Sequence, residues 1–132
     1  SRSIYSFDNK STMEIHGNGK NIRHYLSVHD FVSALVLIIK KAEKGIYNIG
    51  SEESFTNLTV VKKIAQIMKI NYKKNIIFVP DRLYNDKRYS VSSKKIRKLG
   101  WRPKKIFSEE LKLVVEWYLN NKNYFKKSTP IL

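Results

Sequence analysis

The sequence predicts an α/β fold built from short strands and about four helices. Three observations carry this. Short apolar or alternating runs at residues 13–15, 22–28, 46–50 and 76–79 read as strands. Segments with apolar residues at helical spacing, 31–41 and 58–68, lie between them, and strand–helix alternation points to α/β. The 132 residues, 42% apolar and 12% aromatic, suffice for one domain with a modest core.

Taken in order, residues 1–12 are polar and read as a poorly held lead-in, or the stump of something larger. A strand at 13–15 leads into a turn at 16–21, where Gly17 and Gly19 are free to take positive φ. The alternating run 22–28 is expected as a strand, with Arg23 on the face opposite Ile22. Asp30 is placed to cap a helix over 31–41. That helix is apolar almost all round, which predicts burial on more than one side. Gly45 closes it, and a short buried strand follows at 46–50.

Residues 51–56 read as a loop, with Thr56 or Asn57 capping a helix over 58–68. Residues 71–75 turn the chain into the strand 76–79, which Pro80 ends because it cannot donate to a ladder. After a short extended piece at 89–91, Ser92 is expected to cap a helix over 93–98 that Gly100 stops. Trp101-Arg102-Pro103 reads as an extended anchor in which Trp101 packs. Ser108 is expected to cap the last helix, with Glu109 and Glu110 favoured by the dipole of its first turn. Leu111, Val114, Val115 and Tyr118 form its apolar stripe. The chain thus divides into a lead-in (1–12), a folded lobe (13–121) and a basic tail (122–132).

Several function classes find no support. There is no cysteine, hence no disulfide framework and no thiolate metal site. Residues 1–9 lack a signal-peptide pattern, and the best apolar run, 31–39, is half the length needed to cross a bilayer. A cytoplasmic protein with no membrane partner is the expectation. His16, His24 and His29 show no metal-ligand spacing. Tyr118 and Lys122 match a Tyr-x-x-x-Lys spacing, but Tyr118 completes an apolar stripe. No serine sits in a nucleophile elbow and no Gly-rich phosphate loop opens the chain. The formal charge of +15 raises nucleic acid as a partner. The lysines are spread in pairs along the whole chain rather than clustered on one element, so nucleic acid is not the expected partner.

The most informative stretch is residues 79–89, with two arginines, two aspartates and two tyrosines after a strand. Lysine is the habitual cation here, so the few arginines stand out. A guanidinium fork grips phosphate or carboxylate through two parallel bonds. Arg82 and Arg88 therefore read as a diphosphate clamp, or as surface arginines paired with Asp81 and Asp86.

Blocks at residues 15–30, 47–50, 81–89, 95–103 and 116–118 give the chain a resemblance to a family. They include Ile22-Arg23-His24-Tyr25-Leu26, Tyr47-Asn48-Ile49-Gly50, Asp81-Arg82 through Asp86-Lys87-Arg88-Tyr89, and Leu99-Gly100-Trp101. The chain resembles the C-terminal part of a nucleotide-sugar 4,6-dehydratase, in the extended short-chain dehydrogenase/reductase family. The resemblance covers residues 13 to about 121 and implies a Rossmann-type enzyme whose substrate-binding lobe this chain supplies.

It also implies roles. Arg23 and Arg82 would grip the diphosphate, Asn57 would hydrogen-bond the nucleotide, and Asn85 and Arg88 would complete the substrate site. Asn85 stands where bacterial dTDP-glucose enzymes carry His. The Leu-Tyr-Asn-Asp wording at 83–86 is closer to plant UDP-rhamnose synthases, which tilts the expectation to UDP-glucose over dTDP-glucose. His24, His29 and Leu83 depart from the family's pattern. NAD, the catalytic residues and the dimer helices belong to the N-terminal half, so this chain alone is expected to be inactive, with a homodimer only for the full-length enzyme. The alternatives are a basic nucleic-acid-binding module, or a fragment of a related epimerase or decarboxylase.

Overall fold

The computed structural model describes residues 1–41 and 44–124. The basic tail expected at 122–132 lies outside the described residues beyond Tyr124. The elements are α1 (Arg2–Asp8), β1 (Met13–His16), β2 (Ile22–His24), α2 (Val28–Lys41), β3 (Ser54–Thr56), α3 (Asn57–Ile67), a 3-10 turn (Tyr72–Lys74), β4 (Ile76–Val79), α4 (Lys94–Lys98) and α5 (Phe107–Asn120). The mixed α/β architecture is as expected.

Two small sheets form among the described residues. β1 pairs parallel with β4, Met13 opposite Ile76 and His16 opposite Val79. β2 pairs antiparallel with β3, Ile22 opposite Thr56 and His24 opposite Ser54. One core joins α1, α3, α5 and the β1–β4 pair through Ile4, Phe7, Ile15, Val61, Ile64, Ala65 and Val115. A second is centred on Ala34, Ile96 and Trp101. Trp101 packs as expected, and its indole N–H donates to Ser33 Oγ at 2.9 Å.

Several expectations are corrected. Residues 2–8 are a helix, not a loose lead-in, because Ile4 and Phe7 are buried in the first core. α1 and α3 end alike. The left-handed residues Lys10 (φ 54°) and Lys69 (φ 56°) follow the caps. Ser11 N–H then bonds back to Ser6 O and Ile70 N–H to Ala65 O, both at 2.8 Å. Residues 46–50 form no strand, since no ladder partner lies beside them among the described residues. Residues 54–56, expected as loop, are strand β3 because β2 offers its edge.

Cap assignments also shift. Thr56 caps α3 as expected, accepting from Thr59 N–H at 3.1 Å. Asp30 lies inside the first turn of α2 and does not cap it. Ser93, not Ser92, precedes α4, and its hydroxyl donates to Gly50 O at 3.1 Å. α5 starts at Phe107, whose N–H donates to Glu53 Oε2 at 2.9 Å, so Ser108 is not its cap.

α2 is not buried on more than one side. Only Asp30 and Ala34 are buried, while Phe31, Val32, Leu35, Val36 and Ile39 are exposed.

Candidate diphosphate clamp

Two backbone contacts and one side-chain bond bring the charged loop onto β2. Ile22 N–H donates to Lys87 O at 2.7 Å, and Ile22 forms a parallel bridge with Arg88. The buried Asn21 donates its carboxamide N–H to Asp86 O at 3.3 Å. Asn21 O in turn accepts from Asn57 N–H at 3.0 Å, which seats the start of α3 beside the same turn. Arg23, the residue after Ile22, therefore faces the loop that Pro80 began.

The two guanidinium groups meet on one atom. Arg23 Nη2 and Arg82 Nη2 each donate to Asn85 Oδ1 at 3.2 Å. Arg23 is further fixed by donating Nη1–H to Ile22 O at 2.8 Å and Asp86 O at 3.1 Å, and by stacking 4.5 Å from the Tyr89 ring centroid. Two cationic forks sharing one oxygen acceptor make a local site for an anionic oxygen, since like charges held this close favour a counter-charge between them.

Asp81 takes part in this arrangement through its hydrogen bonds. Asp81 Oδ1 accepts from Asn85 Nδ2 at 2.7 Å and from Arg82 N–H at 2.9 Å. These bonds, the Asn85 one foremost, hold the Asp81 carboxyl below its ordinary range. A hydrogen bond to Asp86, with that carboxylate's charge, raises the Tyr89 phenol above its ordinary range. Among the described residues, neither Arg82 nor Arg88 forms an ion pair with Asp81 or Asp86. Gly17 lies against the Asp81 side chain. Its φ is +58°, and a Cβ there would lie 2.8 Å from Asp81 Oδ2.

Of the residues singled out from sequence, Arg23, Arg82 and Asn85 come together through direct hydrogen bonds. Asn57 is the first residue of α3, tied through its N–H to the same turn. Arg88 joins through its backbone only, and its side chain is exposed without a hydrogen bond among the described residues. Sequence reasoning gave Asp81, Asn21 and Tyr89 no part in the site. Their signal was their place in the blocks 15–30 and 81–89 that carry the resemblance.

The clamp is an open surface. Two concavities lie elsewhere: about 420 Å³ along α2, beside Phe31 and Tyr47, and about 560 Å³ between Tyr25, Phe107 and Trp117. Neither is lined by a clamp residue. The shared acceptor oxygen is the stronger guide, because it reports donor geometry and not hollow space.

Other chemistry is thin. No group of His, Asp and Glu among the described residues could hold a metal. His24 Nδ1 lies 3.0 Å from Ser51 O, and its buried Nε2 has no partner. Tyr118 packs on the first core and Lys122 pairs with Asp8 at 2.6 Å, so the Tyr-x-x-x-Lys spacing is structural. The Gly17–Gly19 turn leads into β2 and not into a helix, so it does not fit a dinucleotide's phosphates. No helix among the described residues is long and apolar enough to cross a membrane.

A profile of the GDP-mannose 4,6 dehydratase family matches residues 3–114. The chain belongs to the nucleotide-sugar 4,6-dehydratases of the extended short-chain dehydrogenase/reductase family. Two dehydratases are similar to it in sequence. A dTDP-D-glucose 4,6-dehydratase of Dictyostelium discoideum is 34% identical over 89% of this chain and 35% of its own length. A trifunctional UDP-glucose 4,6-dehydratase/UDP-4-keto-6-deoxy-D-glucose 3,5-epimerase/UDP-4-keto-L-rhamnose-reductase of Arabidopsis thaliana is 35% identical over 86% of this chain and 17% of its own. The crystal structure of dTDP-glucose 4,6-dehydratase from Bacillus anthracis, in complex with NAD, superposes with a TM-score of 0.86 at 31% identity. That match covers 94% of this chain and 40% of the other. The chain thus spans well under half the length of these dehydratases.

Proposed function

We propose that these residues form the substrate-binding portion of an NDP-glucose 4,6-dehydratase, which converts NDP-glucose to NDP-4-keto-6-deoxyglucose with loss of water. The observation that carries this is the convergence of Arg23 and Arg82 on Asn85 Oδ1. In this reading the diphosphate oxygens take up the two guanidinium forks, Asn57 meets the nucleotide, and Asn85 and Arg88 border the sugar side. NAD, held by residues outside this chain, supplies the hydride acceptor. The chain's own part is to fix the diphosphate and so orient the sugar. It contributes no acid, base or nucleophile, and taken alone it has no dehydratase activity. The exposed apolar face of α2 supports this division, since it offers a surface for further protein. Homodimers are expected of the full-length enzyme only. The product fits rhamnose and other deoxysugar synthesis in the cytoplasm. UDP-glucose is favoured over dTDP-glucose on the wording of residues 83–86.

Calorimetric titration of the chain with UDP and with dTDP tests the reading. Arg82→Ala and Arg23→Ala are each expected to cost about 1.5–3 kcal/mol, the scale of a hydrogen bond to a charged partner. That is roughly a 10- to 150-fold loss of affinity. Unchanged affinity in both variants would overturn the clamp. Tight DNA or RNA binding that falls steeply with salt, without nucleotide binding, would move the assignment to a nucleic-acid-binding module.

A further inference from the structure

We propose that Asp81 is the positioning residue of the clamp, acting through Asn85. This inference rests on the sugar-nucleotide reading above. A carboxamide has one accepting end and one donating end. Asn85 turns its oxygen to two guanidinium groups, which only donate, and its nitrogen to Asp81 Oδ1, which only accepts. A flipped amide would set N–H against N–H at both arginines and oxygen against carboxylate at Asp81. Arg23 and Arg82 alone do not choose between rotamers of Asn85, because a half-buried side chain at the surface could still turn towards solvent. The 2.7 Å bond to Asp81 makes the choice.

Asp81 is itself fixed from two sides. It accepts from Arg82 N–H at 2.9 Å. It also sits against the bare Cα of Gly17, where a Cβ would fall 2.9 Å from its Cγ. The consequence is preorganisation: two like charges that repel are held facing one point before the diphosphate arrives. Asp81 is fully exposed, so its removal opens no core.

Charge and position predict opposite signs, which makes the test sharp. If Asp81 acted only as a negative charge beside an anion site, Asp81→Ala would tighten UDP binding. As a positioning residue its loss weakens binding by about 10-fold, with only a small fall in melting temperature. Asp81→Asn keeps an oxygen acceptor in place without the charge, and it is expected to bind UDP as well as the wild type or better. In an Asn85→Ala background, Asp81→Ala is expected to weaken nothing further. Tighter or unchanged binding by Asp81→Ala, or the same loss persisting without Asn85, would overturn the proposal.

A second readout needs no ligand. In nitrogen-15 spectra the Asn85 side-chain amide is expected to stand apart in the wild type and to fall back to solvent-exposed positions in Asp81→Ala. An unmoved amide would overturn the proposal. Absence of UDP and pyrophosphate binding by the wild type would overturn the substrate reading, while the amide spectrum still decides the role of Asp81.

Discussion

The buried carboxylate of Asp30 binds the backbone of Lys104, accepting its N–H at 3.1 and 3.0 Å through Oδ1 and Oδ2. Oδ2 also accepts from Lys105 N–H at 2.9 Å. One side chain thus ties the first turn of α2 to the segment that leads into α5, while its charge favours the α2 N-terminus.

Removing it leaves two backbone donors without partners. Asp30→Ala is expected to destabilise the chain by about 1.5–3 kcal/mol, the scale of part-buried hydrogen bonds to a charged group. Asp30→Asn, which keeps one oxygen, is expected to cost about half. Urea midpoints at unchanged slope check this. A loss near zero for Asp30→Ala would show that the 104–105 segment holds without its anchor.

Gly17 supports the clamp by having no side chain. Gly17→Ala is expected to cost about 1–2 kcal/mol for the left-handed backbone alone. It should also weaken UDP binding, since the new Cβ would press on Asp81 at 2.8 Å. Stability falling while affinity holds would separate the turn from the clamp.

Lys69 takes the left-handed position after α3 that glycine usually fills. Lys69→Gly is expected to raise stability by about 0.5–1 kcal/mol, as relief of the side-chain clash exceeds the entropy that glycine loses. Thermal unfolding reads the sign directly, and a lower melting temperature would contradict it.

Asp81 titrates below its ordinary value of 3.8, chiefly because Asn85 hydrogen-bonds the ionised form. A carboxyl depressed by folding contributes stability above its unfolded pKa and loses it as pH falls through the folded one. The clamp geometry is therefore expected to persist at neutral pH and to dissolve only in acid, below the usual aspartate range. Carbon-13 titration of the carboxyl checks this, and Asn85→Ala should move the midpoint up. An ordinary midpoint in the wild-type chain would contradict the hydrogen bond.

What could be read from the sequence was local. The strand at Ile76–Val79, the Thr56 cap and the turn before β4 depend on neighbours in the chain, and all three appear. The resemblance supplied Arg23, which composition alone would not single out. What escaped was set by distant partners. Glu53 caps α5 from 54 residues away and Asp30 holds a segment 74 residues on, so Ser108 and Asp30 looked like ordinary local caps. β3 exists because β2 lies beside it, and residues 46–50 are not a strand because no ladder partner flanks them among the described residues. α1 looked polar, yet two side chains, Ile4 and Phe7, suffice to seat it. Within the site, the arginines were legible as chemistry. The amide that unites them and the aspartate that aims it needed three dimensions.

The structure of the chain with UDP bound tests the shared clamp most directly. A diphosphate oxygen is expected beside Asn85 Oδ1, about 2.7–2.9 Å from a guanidinium nitrogen of both Arg23 and Arg82, the usual charge-assisted spacing, with Asn85 still held between them. A diphosphate held by one arginine alone, or bound elsewhere while both guanidinium groups stay on Asn85, would contradict it.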